Sequence, residues 1–558
     1  MLRATFSGFS TALSAIQANQ KRLDLVGQNL SNMNTSGYTR QQLEASSLNY
    51  SRPISRYMND SQIAVGFGVS MDRVSQIRDP YLDAQYRAQI KKAGYSDSMQ
   101  TSLDRLSKVL DESDKDGIRQ ALADIQSTLS GMHDNANVID AVYESELRSR
   151  MQSLTNLLND AARQIVDAEN AEFSKLDGTG TNEQGAVQKV NDLLRQIGDL
   201  NNQIKSNQVL GQQSLELQDQ RNMLLDELAS YVPIEVSYFK DAAHDGKTVD
   251  AHGNTIDAPE ELYDFDANGN IIGKKDWPDD LKVEMVYQDT DGSTKRLTLV
   301  DGSNGTAGKN YGSVSIAAAT TGDPTTAFLT FTASPSSAAG ANPPASVKAS
   351  ATGVQFSGGS IQASLDMLGK KGTGAGDDVR GYQYYMERLD DLAVQFSNVM
   401  NAINKTGNGG ADSPLFANKN DPDDPISALT IGISKEWRNG TVHIGTSGDS
   451  PNSTVLDMLE AMNVSQAQLG DKSFADYINN VSTILANDSS SNTISLKTNV
   501  TVLNSIQDSR DSVSGVSLDE EASNMMSYIS AYNAASRLMT ALDEALNTLI
   551  SGTGLVGR

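Results

Sequence analysis

The sequence predicts an α+β fold that is mainly helical, with helices at both chain ends, a helix-rich region inside them and a β-rich insert. Three observations support this prediction. Apolar residues recur at steps of three and four near both termini, and the same spacing returns across residues 96–230. Between residues 234 and 355 it gives way to short alternating segments separated by Gly, Asp, Asn, Ser and Pro. The predicted domains are therefore nested, and their N- and C-terminal parts meet in space.

The N-terminal helix is predicted from a heptad-like apolar stripe that ends at a run of turn formers, Asn32 to Gly37. A stripe of this kind either packs within the chain's own bundle or faces neighbouring subunits, and we expect it to do both. The residues of this stripe that we predict to form an assembly interface are Phe6, Phe9, Leu13, Ile16, Leu23 and Leu30.

The C-terminal helix carries two such rows, one of residues seven apart and a companion row beside it. Three acidic residues, Asp519 to Glu521, follow its predicted start and favour the positive end of the helix dipole. Gly552 and Gly554 end it. The predicted interface residues on this helix are Leu518, Met525, Tyr528, Tyr532, Met539, Leu542, Leu546 and Leu549.

Between the terminal helices the pattern changes several times. Residues 51–95 are predicted to form an extended, partly stranded connector, and helices are predicted over 96–230, over Tyr382–Ile403 and again from Val455. The predicted strands are centred on 234–236, 282–287, 297–299, 314–316, 328–331 and 430–433. Three domains follow: 1–50 with 511–558, 51–233 with 356–510, and the β-rich insert 234–355.

Composition limits the classes of partner. The chain has 558 residues, 70 acidic and 45 basic, for a formal net charge of −25. Such a surface repels nucleic acid and anionic membranes, so we predict neither as a partner. There is no cysteine, which excludes disulfides and thiolate chemistry. No apolar stretch approaches the length of a membrane span, and the N-terminus lacks a signal-peptide pattern.

One segment has the composition of a cation-binding loop. Asp264, Asp266, Asn268 and Gly269 match the first half of an EF-hand loop, but Lys275 stands where a bidentate Glu belongs. The same composition is common in β-turns, which is the favoured interpretation. We predict no cofactor and no enzyme activity, because no carboxylate pair stands out beside a cluster of aromatic residues.

Four sequence blocks resemble flagellar proteins. Residues 29–41, from Asn29-Leu30-Ser31-Asn32 to Gly37-Tyr38-Thr39-Arg40-Gln41, resemble the N-terminal motif of the rod, hook and hook-associated proteins. Residues 66–82 and 217–228 are similar to segments of hook-associated proteins. Residues 514–535 look like the C-terminal signature of the FlgK family, with Ser530 where that family usually has Gln.

The resemblance implies a structural subunit at the junction between flagellar hook and filament. It implies paired terminal helices, self-association in a tubular ring, and contacts with the hook protein and a second hook–filament junction protein. It also implies type III export to the extracellular flagellum without a cleaved signal peptide, with an export chaperone on the C-terminal helix.

Two alternatives remain. A secreted adhesin or carbohydrate-binding protein could act through the insert, with the helices as a stalk. A neighbouring axial protein such as a hook protein is disfavoured by the long helical middle and by the signature at residues 514–535.

Overall fold

The computed structural model describes residues 2–47, 68–110, 117–133, 141–179, 184–210, 212–240, 247–249, 255–257, 263–265, 271–274, 279–302, 309–335, 345–372, 379–446 and 452–553. Within them the helices are α1 (Leu2–Ser31), α2 (Pro80–Leu110), α3 (Ile118–His133), α4 (Ala141–Asp177), α5 (Ala186–Val209), α6 (Leu215–Tyr231), α7 (Ser360–Gly369), α8 (Tyr382–Gly407), α9 (Lys435–Arg438), α10 (Ser453–Asn463), α11 (Phe474–Ser514) and α12 (Leu518–Thr553). Helices therefore dominate the described chain, which confirms the predicted mainly helical α+β class.

The strands form small antiparallel sheets. They are β1 (Gln41–Ser47), β2 (Val69–Gln76), β3 (Ile234–Lys240), β4 (Lys247–Val249), β5 (Thr255–Asp257), β6 (Tyr263–Phe265), β7 (Ile271–Lys274), β8 (Asp279–Gln288), β9 (Thr294–Asp301), β10 (Ser313–Ala318), β11 (Ala327–Thr332), β12 (Ser346–Ser350), β13 (Gln355–Phe356), β14 (Phe416–Asn418) and β15 (Ile431–Ile433). One sheet has the order β13-β8-β3 with β9 on β8, and a second has the order β10-β11-β12. The remaining strands pair as β1-β2, β4-β5, β6-β7 and β14-β15. Each predicted strand segment lies in one of these strands.

The predicted connector over residues 51–95 is wrong in its second half. Residues 48–67 lie outside the described chain, and β2 supplies the expected strand, but α2 already begins at Pro80. The reason is local: Asp79 Oδ1 accepts a hydrogen bond from the Tyr81 backbone N–H at 2.9 Å and so caps the helix. Proline suits the first helical position because it has no N–H to satisfy there.

Helix α7 was not predicted, because it has no exposed face. Its residues from Ile361 to Leu368 are all buried, including the polar Gln362, Ser364 and Asp366, so its polar positions do not mark a solvent side as they would on a surface helix. It begins after Gly359, whose φ of 94° favours glycine. A side chain at Gly359 would collide with the Tyr231 carbonyl at the end of α6, so this glycine allows the close approach of the two elements.

A continuous apolar core extends from Met99 to Leu485 and includes both the central helices and the inner faces of the insert's two larger sheets. Phe331 of β11 and Phe356 of β13 meet edge to face there, with ring centroids 5.2 Å apart. The largest fully buried side chains include Trp437, Tyr382 and Tyr385. The insert is therefore packed into the helical region, and no described residue of α1 or α12 belongs to this core.

Asparagines on helices hold the free edges of two strands. Asn191 of α5 donates to the Val314 carbonyl at 2.8 Å and accepts from the Val314 N–H at 2.7 Å. Asn401 of α8 makes the same pair of bonds with Phe416 of β14, both at 2.9 Å. A side-chain amide thus replaces a neighbouring strand, which satisfies the edge and keeps it from pairing with another chain.

Candidate assembly site at the paired termini

The two terminal helices pack against each other in antiparallel orientation. Gly8, near the start of α1, lies against Leu542, near the end of α12, where a Cβ would approach Leu542 Cδ1 to 3.2 Å. Further along, the Arg22 guanidinium carbon lies 5.5 Å from the centre of the Tyr528 ring. The predicted pairing of the chain ends is therefore present within one chain.

On α12, the predicted seam residues fall into two groups. Ala535 is buried, and the residues around it on the same face are half-buried; these are Met525, Tyr528, Tyr532, Met539, Leu542 and Leu546. Leu518 and Leu549, at the two ends of the predicted rows, are 54% and 38% exposed. Their role in assembly remains a prediction.

On α1, the buried face is rotated by about one residue from the predicted stripe. Leu13 and Leu30 are 48% and 38% exposed, while Phe9, Ile16 and Leu23 are half-buried; the side chain of Phe6 lies outside the described residues. The buried positions are Ala12, Ala18, Asn19, Leu25, Val26 and Asn29.

The β1–β2 hairpin explains the rotation, because it covers a second side of α1. Its strand β2 begins with a hydrogen bond from the Val69 N–H to Ser14 Oγ at 3.2 Å. The buried face of α1 is therefore shared between α12 and the hairpin, and small side chains at positions 12 and 18 permit the close approach.

The turn that follows α1 is organised by Asn29, which is 2% exposed. Its side chain donates to the Gln41 carbonyl and accepts from the Gln41 N–H, both at 3.0 Å. The Tyr38 hydroxyl donates to the same amide oxygen at 2.9 Å. Gly37, the last of the predicted turn formers, has a φ of 78°, which favours glycine, and lies against Met223. Asn29 thus folds the chain back onto the end of its own helix.

Tyr38 stays a hydrogen-bond donor at any physiological pH. Burial raises the pKa of its hydroxyl to about 12, and the negative charges of Glu216, Asp219 and Glu521 add to the shift. The neutral phenol can therefore hold the Asn29 amide without competition from ionisation.

Arg40 connects this turn to the start of α12. Its backbone N–H donates to the Ser514 carbonyl at 2.9 Å. Its side chain donates through Nε to Glu521 at 2.8 Å and through Nη1 to Glu520 at 2.6 Å. Glu521 is 2% exposed, so this carboxylate depends on Arg40 for its charge compensation. The acidic residues predicted to favour the helix N-terminus also bind the other end of the chain.

Asp219 of α6 binds the residue before Arg40. It accepts from the Thr39 N–H at 3.1 Å and from the Thr39 hydroxyl at 2.6 Å, and Arg78 Nη1 lies 3.4 Å away. Burial raises the pKa of Asp219, and the bonds from Thr39 and the charge of Arg78 oppose that shift. Arg78 also donates through Nε to Asp83 at 2.7 Å.

A second ionic cluster lies next to the first. Asp226 of α6 accepts from Arg87 at 2.8 Å and from Arg510 of α11 at 2.7 Å. Arg510 also pairs with Asp83 at 3.0 Å and stacks over Tyr86, 4.9 Å from the ring centre. Together with the pairs of Arg40 with Glu520 and Glu521, the two clusters join all four sequence blocks that resemble flagellar proteins.

These ionic contacts were not predicted from the sequence, although the blocks contain Arg40, Arg78, Asp219 and Asp226. Apolar periodicity finds seams but gives no information about charges in turns. The available signal was the presence of charges of both signs within blocks that are far apart along the chain.

Asp266, Asn268 and the side chain of Asp264 of the candidate cation loop lie outside the described residues. The described segments before and after them are the paired strands β6 and β7, whereas an EF-hand loop lies between two helices. Among the described residues, no group of three His, Asp or Glu side chains is placed to hold a metal ion.

None of the helices in the described chain combines the length and the apolar character that crossing a membrane requires.

Comparison with known families places flagellar sequence models along the chain. The flagellar hook-associated protein FlgK helical domain matches residues 92–266. The flagella basal body rod protein matches residues 9–39, and the flagellar basal body rod FlgEFG protein C-terminal model matches residues 507–552. The two rod models thus cover most of the paired helices α1 and α12.

Individual relatives agree with these models. Flagellar hook-associated protein 1 of Bacillus subtilis (strain 168) is 28% identical over 578 aligned residues that cover 100% of both chains. The protein of that name from Salmonella typhimurium (strain LT2) is 26% identical over 238 residues, which are 40% of this chain and 38% of that protein. The flagellar hook junction protein FlgK from Burkholderia pseudomallei has a solved structure that is 19% identical, with a TM-score of 0.39 over 60% of this chain and 46% of that chain.

Paired terminal helices that match rod models at both chain ends define a protein of the flagellar axial class. Within that class, the matched helical-domain model and the full-length relative support the FlgK family of flagellar hook-associated proteins.

Proposed function

We propose that this chain is a structural subunit of the bacterial flagellum that forms the junction between hook and filament. One observation supports this most strongly: the chain is similar over its full length to a flagellar hook-associated protein 1. The antiparallel pairing of α1 and α12 agrees with that role, because it presents both chain ends as one unit. A structural role needs no catalysis, and we propose no enzyme activity.

We propose that the subunits associate in a tubular ring through the outer surface of the α1–α12 pair. Part of the predicted interface is occupied within one chain, and the exposed part remains available to neighbours. Leu13 and Leu30 on α1, and Leu518 and Leu549 on α12, are exposed apolar side chains on a two-helix unit with little core of its own. Packing of copies side by side would remove these residues from water and stabilise the ring.

We also propose the export route and partners that the family implies. The chain leaves the cell through the type III apparatus without a cleaved signal peptide, and an export chaperone covers the C-terminal helix beforehand. Covering α12 is physically reasonable because a lone helix with a narrow apolar seam is marginal in water. In the extracellular flagellum, the proposed neighbours are the hook protein and a second hook–filament junction protein.

The three-domain division remains a proposal. One contact bears on its first boundary: β2 pairs with β1 and packs on α1, although it follows residue 50. No observation favours the adhesin alternative. The insert shares its core with the central helices, whereas a separate binding module on a stalk would have a core of its own.

The proposed role is tested by deleting the gene, imaging the cells by electron microscopy and assaying flagellin in the medium. We expect bare hooks and shed flagellin, with filaments restored by the wild-type gene. A Leu13→Asp, Leu518→Asp double variant should be exported but fail to restore filaments. Val464→Asp is the matched control, because Val464 is 55% exposed in the central helical region. Intact filaments in the deletion strain would contradict the proposal.

A further inference from the structure

The described chain consists of two bodies with different internal packing. The terminal body comprises α1, β1, β2 and α12; the extensive contacts of α1 are with the other three elements. The central body comprises α2–α11 with β3–β15 and contains the continuous apolar core. Because no described residue of the terminal body belongs to that core, the two bodies are not held together by a shared hydrophobic interior.

The joint, where the two bodies meet, consists of two short chain connections beside an open cleft. The chain crosses it at residues 77–79 and at 515–517. A cleft of about 940 Å³ lies there, with Gly37, Tyr38 and Val516 on one side and Tyr86 and Met223 on the other. A cleft of this size leaves room for the terminal body to change its orientation relative to the central body without disturbing the apolar core.

The contacts that cross the joint are mainly polar. One is the bond from the Arg40 N–H to the Ser514 carbonyl of α11, and the others gather on the first turns of α6. Gln28 of α1 donates to Glu216 at 3.1 Å on the surface, and Gln76 of β2 donates to the Leu215 carbonyl at 2.9 Å. Asp219, which is 5% exposed, binds the backbone and the side chain of Thr39 and faces Arg78. Asp219 is thus the buried charge at this joint whose bonding partners lie outside the central body.

The other ionic contacts nearby stay largely on one side of the joint. The pairs of Asp226 with Arg87 and Arg510 lie inside the central body. The pairs of Arg40 with Glu520 and Glu521 lie inside the terminal body. Their loss would weaken one body or the other but would not by itself release the angle between them.

We infer that Asp219 is the positioning residue that fixes the angle between the terminal helix pair and the central body. A buried carboxylate must keep its hydrogen-bond donors, so any swing of the terminal body that removes Thr39 costs Asp219 both bonds from that residue and leaves the Thr39 N–H without its acceptor. When these bonds are lost, the terminal body can rotate relative to the central body about the two short connections at residues 77–79 and 515–517. The inference concerns the single subunit and does not depend on the proposed place of the protein in the flagellum.

The test measures a distance between the two bodies that changes with this angle. Because the chain has no cysteine, spin labels attach only at introduced positions. Gln203→Cys on α5 and Ala534→Cys on α12 are both exposed and report the distance between the two bodies by pulsed electron paramagnetic resonance. We expect one narrow distance distribution in the otherwise wild-type subunit and loss of that narrow population in Asp219→Ala. Gln220→Ala is the matched control, at an exposed position of the same helix turn, and should keep it.

A second variant guards against misfolding. Thr39→Val keeps the side-chain volume but removes the 2.6 Å hydroxyl bond to Asp219, and it should broaden the distribution to a smaller degree. Circular dichroism of each variant should show unchanged helix content. A narrow distribution in both Asp219→Ala and Thr39→Val, or a broad one in the wild-type subunit, would overturn the inference.

Discussion

Arg40 and Glu521 lie 481 positions apart along the chain, yet the Arg40 Nε donates to the Glu521 carboxylate at 2.8 Å. Glu521 is 2% exposed and Arg40 is 18% exposed, so the pair is largely withdrawn from water. Arg40 also binds Glu520, so one planar guanidinium fixes two consecutive carboxylates of the first turn of α12. The pair defines how the C-terminal helix starts relative to the N-terminal turn.

Arg40→Ala should therefore loosen the start of α12. Leaving the buried Glu521 without its donor is expected to cost about 2 kcal/mol in the terminal body. Arg40→Lys should recover only part of the loss, because an ammonium group cannot reproduce the two-sided contact of a guanidinium. Hydrogen exchange of residues 518–530 measures the effect.

Arg73→Ala is the control for that experiment. Arg73 pairs with Glu44 on the surface of the hairpin, with exposed fractions of 44% and 38%, so its loss should cost under about 1 kcal/mol. Equal exchange at residues 518–530 in Arg40→Ala and Arg73→Ala would contradict the role assigned to Arg40.

Leu542→Asp should separate the stabilities of the two bodies. Leu542 is half-buried against Gly8, so a charge there is expected to destabilise the helix pair by a few kcal/mol, on the order given for buried polar groups. Trp437 is fully buried in the central core, so in a Trp277→Phe background its fluorescence follows unfolding of the central body. We expect a large loss of helix signal at low denaturant and little change at Trp437. Ala545→Asp, at an exposed position of α12, is the control; an equal shift of the Trp437 transition in Leu542→Asp would count against two separate bodies.

Much of the fold follows from periodicity, and the differences have physical causes. The helix pair at the termini, the central helices and the strands of the insert were predictable because one face of each element is apolar. Helix α7 was not predicted because all of its faces are buried. The start of α2 was not predicted because a capping residue and a proline define it, and periodicity does not. The register of α1 differed because the hairpin, which covers its second side, is brought there by the tertiary fold.

Of the candidate assembly site, the apolar seam residues were predictable from the sequence and the ionic contacts were not. The seam of α12 is visible in the sequence, but the partners of Arg40 and Asp219 are distant in the chain, and no local pattern joins them. Opposite charges are too common in sequence to be paired without the fold. The ionic joint therefore emerges only when the turn after α1, the first turns of α6 and the start of α12 are placed together.

Asn191→Ala should expose the edge of β10. The change removes two hydrogen bonds to Val314, of 2.8 and 2.7 Å, and leaves that N–H and carbonyl without their partner. We expect a loss of about 1–3 kcal/mol in the free energy of unfolding, measured by urea denaturation followed through Trp437. Gln203→Ala, at an exposed position of the same helix, is the control. Equal denaturation midpoints for the two variants would show that the side-chain amide does not stabilise the strand.

Glu169 should make the central body less stable as pH rises. It is 7% exposed on α4, and burial raises its pKa from 4.5 to about 7, with the charge of Asp323 adding to the shift. The unfolded chain releases this proton at lower pH than the folded chain, so stability falls between about pH 4.5 and 7 and the full penalty is present above that range. The penalty is on the order of 3 kcal/mol.

Glu169→Gln removes that ionisation, so it should stabilise the protein at pH 8.5 and have little effect at pH 4.5. Urea midpoints at the two pH values measure the difference. Asp167→Asn, at an exposed position two residues away on the same helix, is the matched control and should change neither midpoint by much. If Glu169→Gln gave no more stabilisation at pH 8.5 than at pH 4.5, the carboxyl of Glu169 would have to ionise freely, and its burial against Asp323 would have to open in solution.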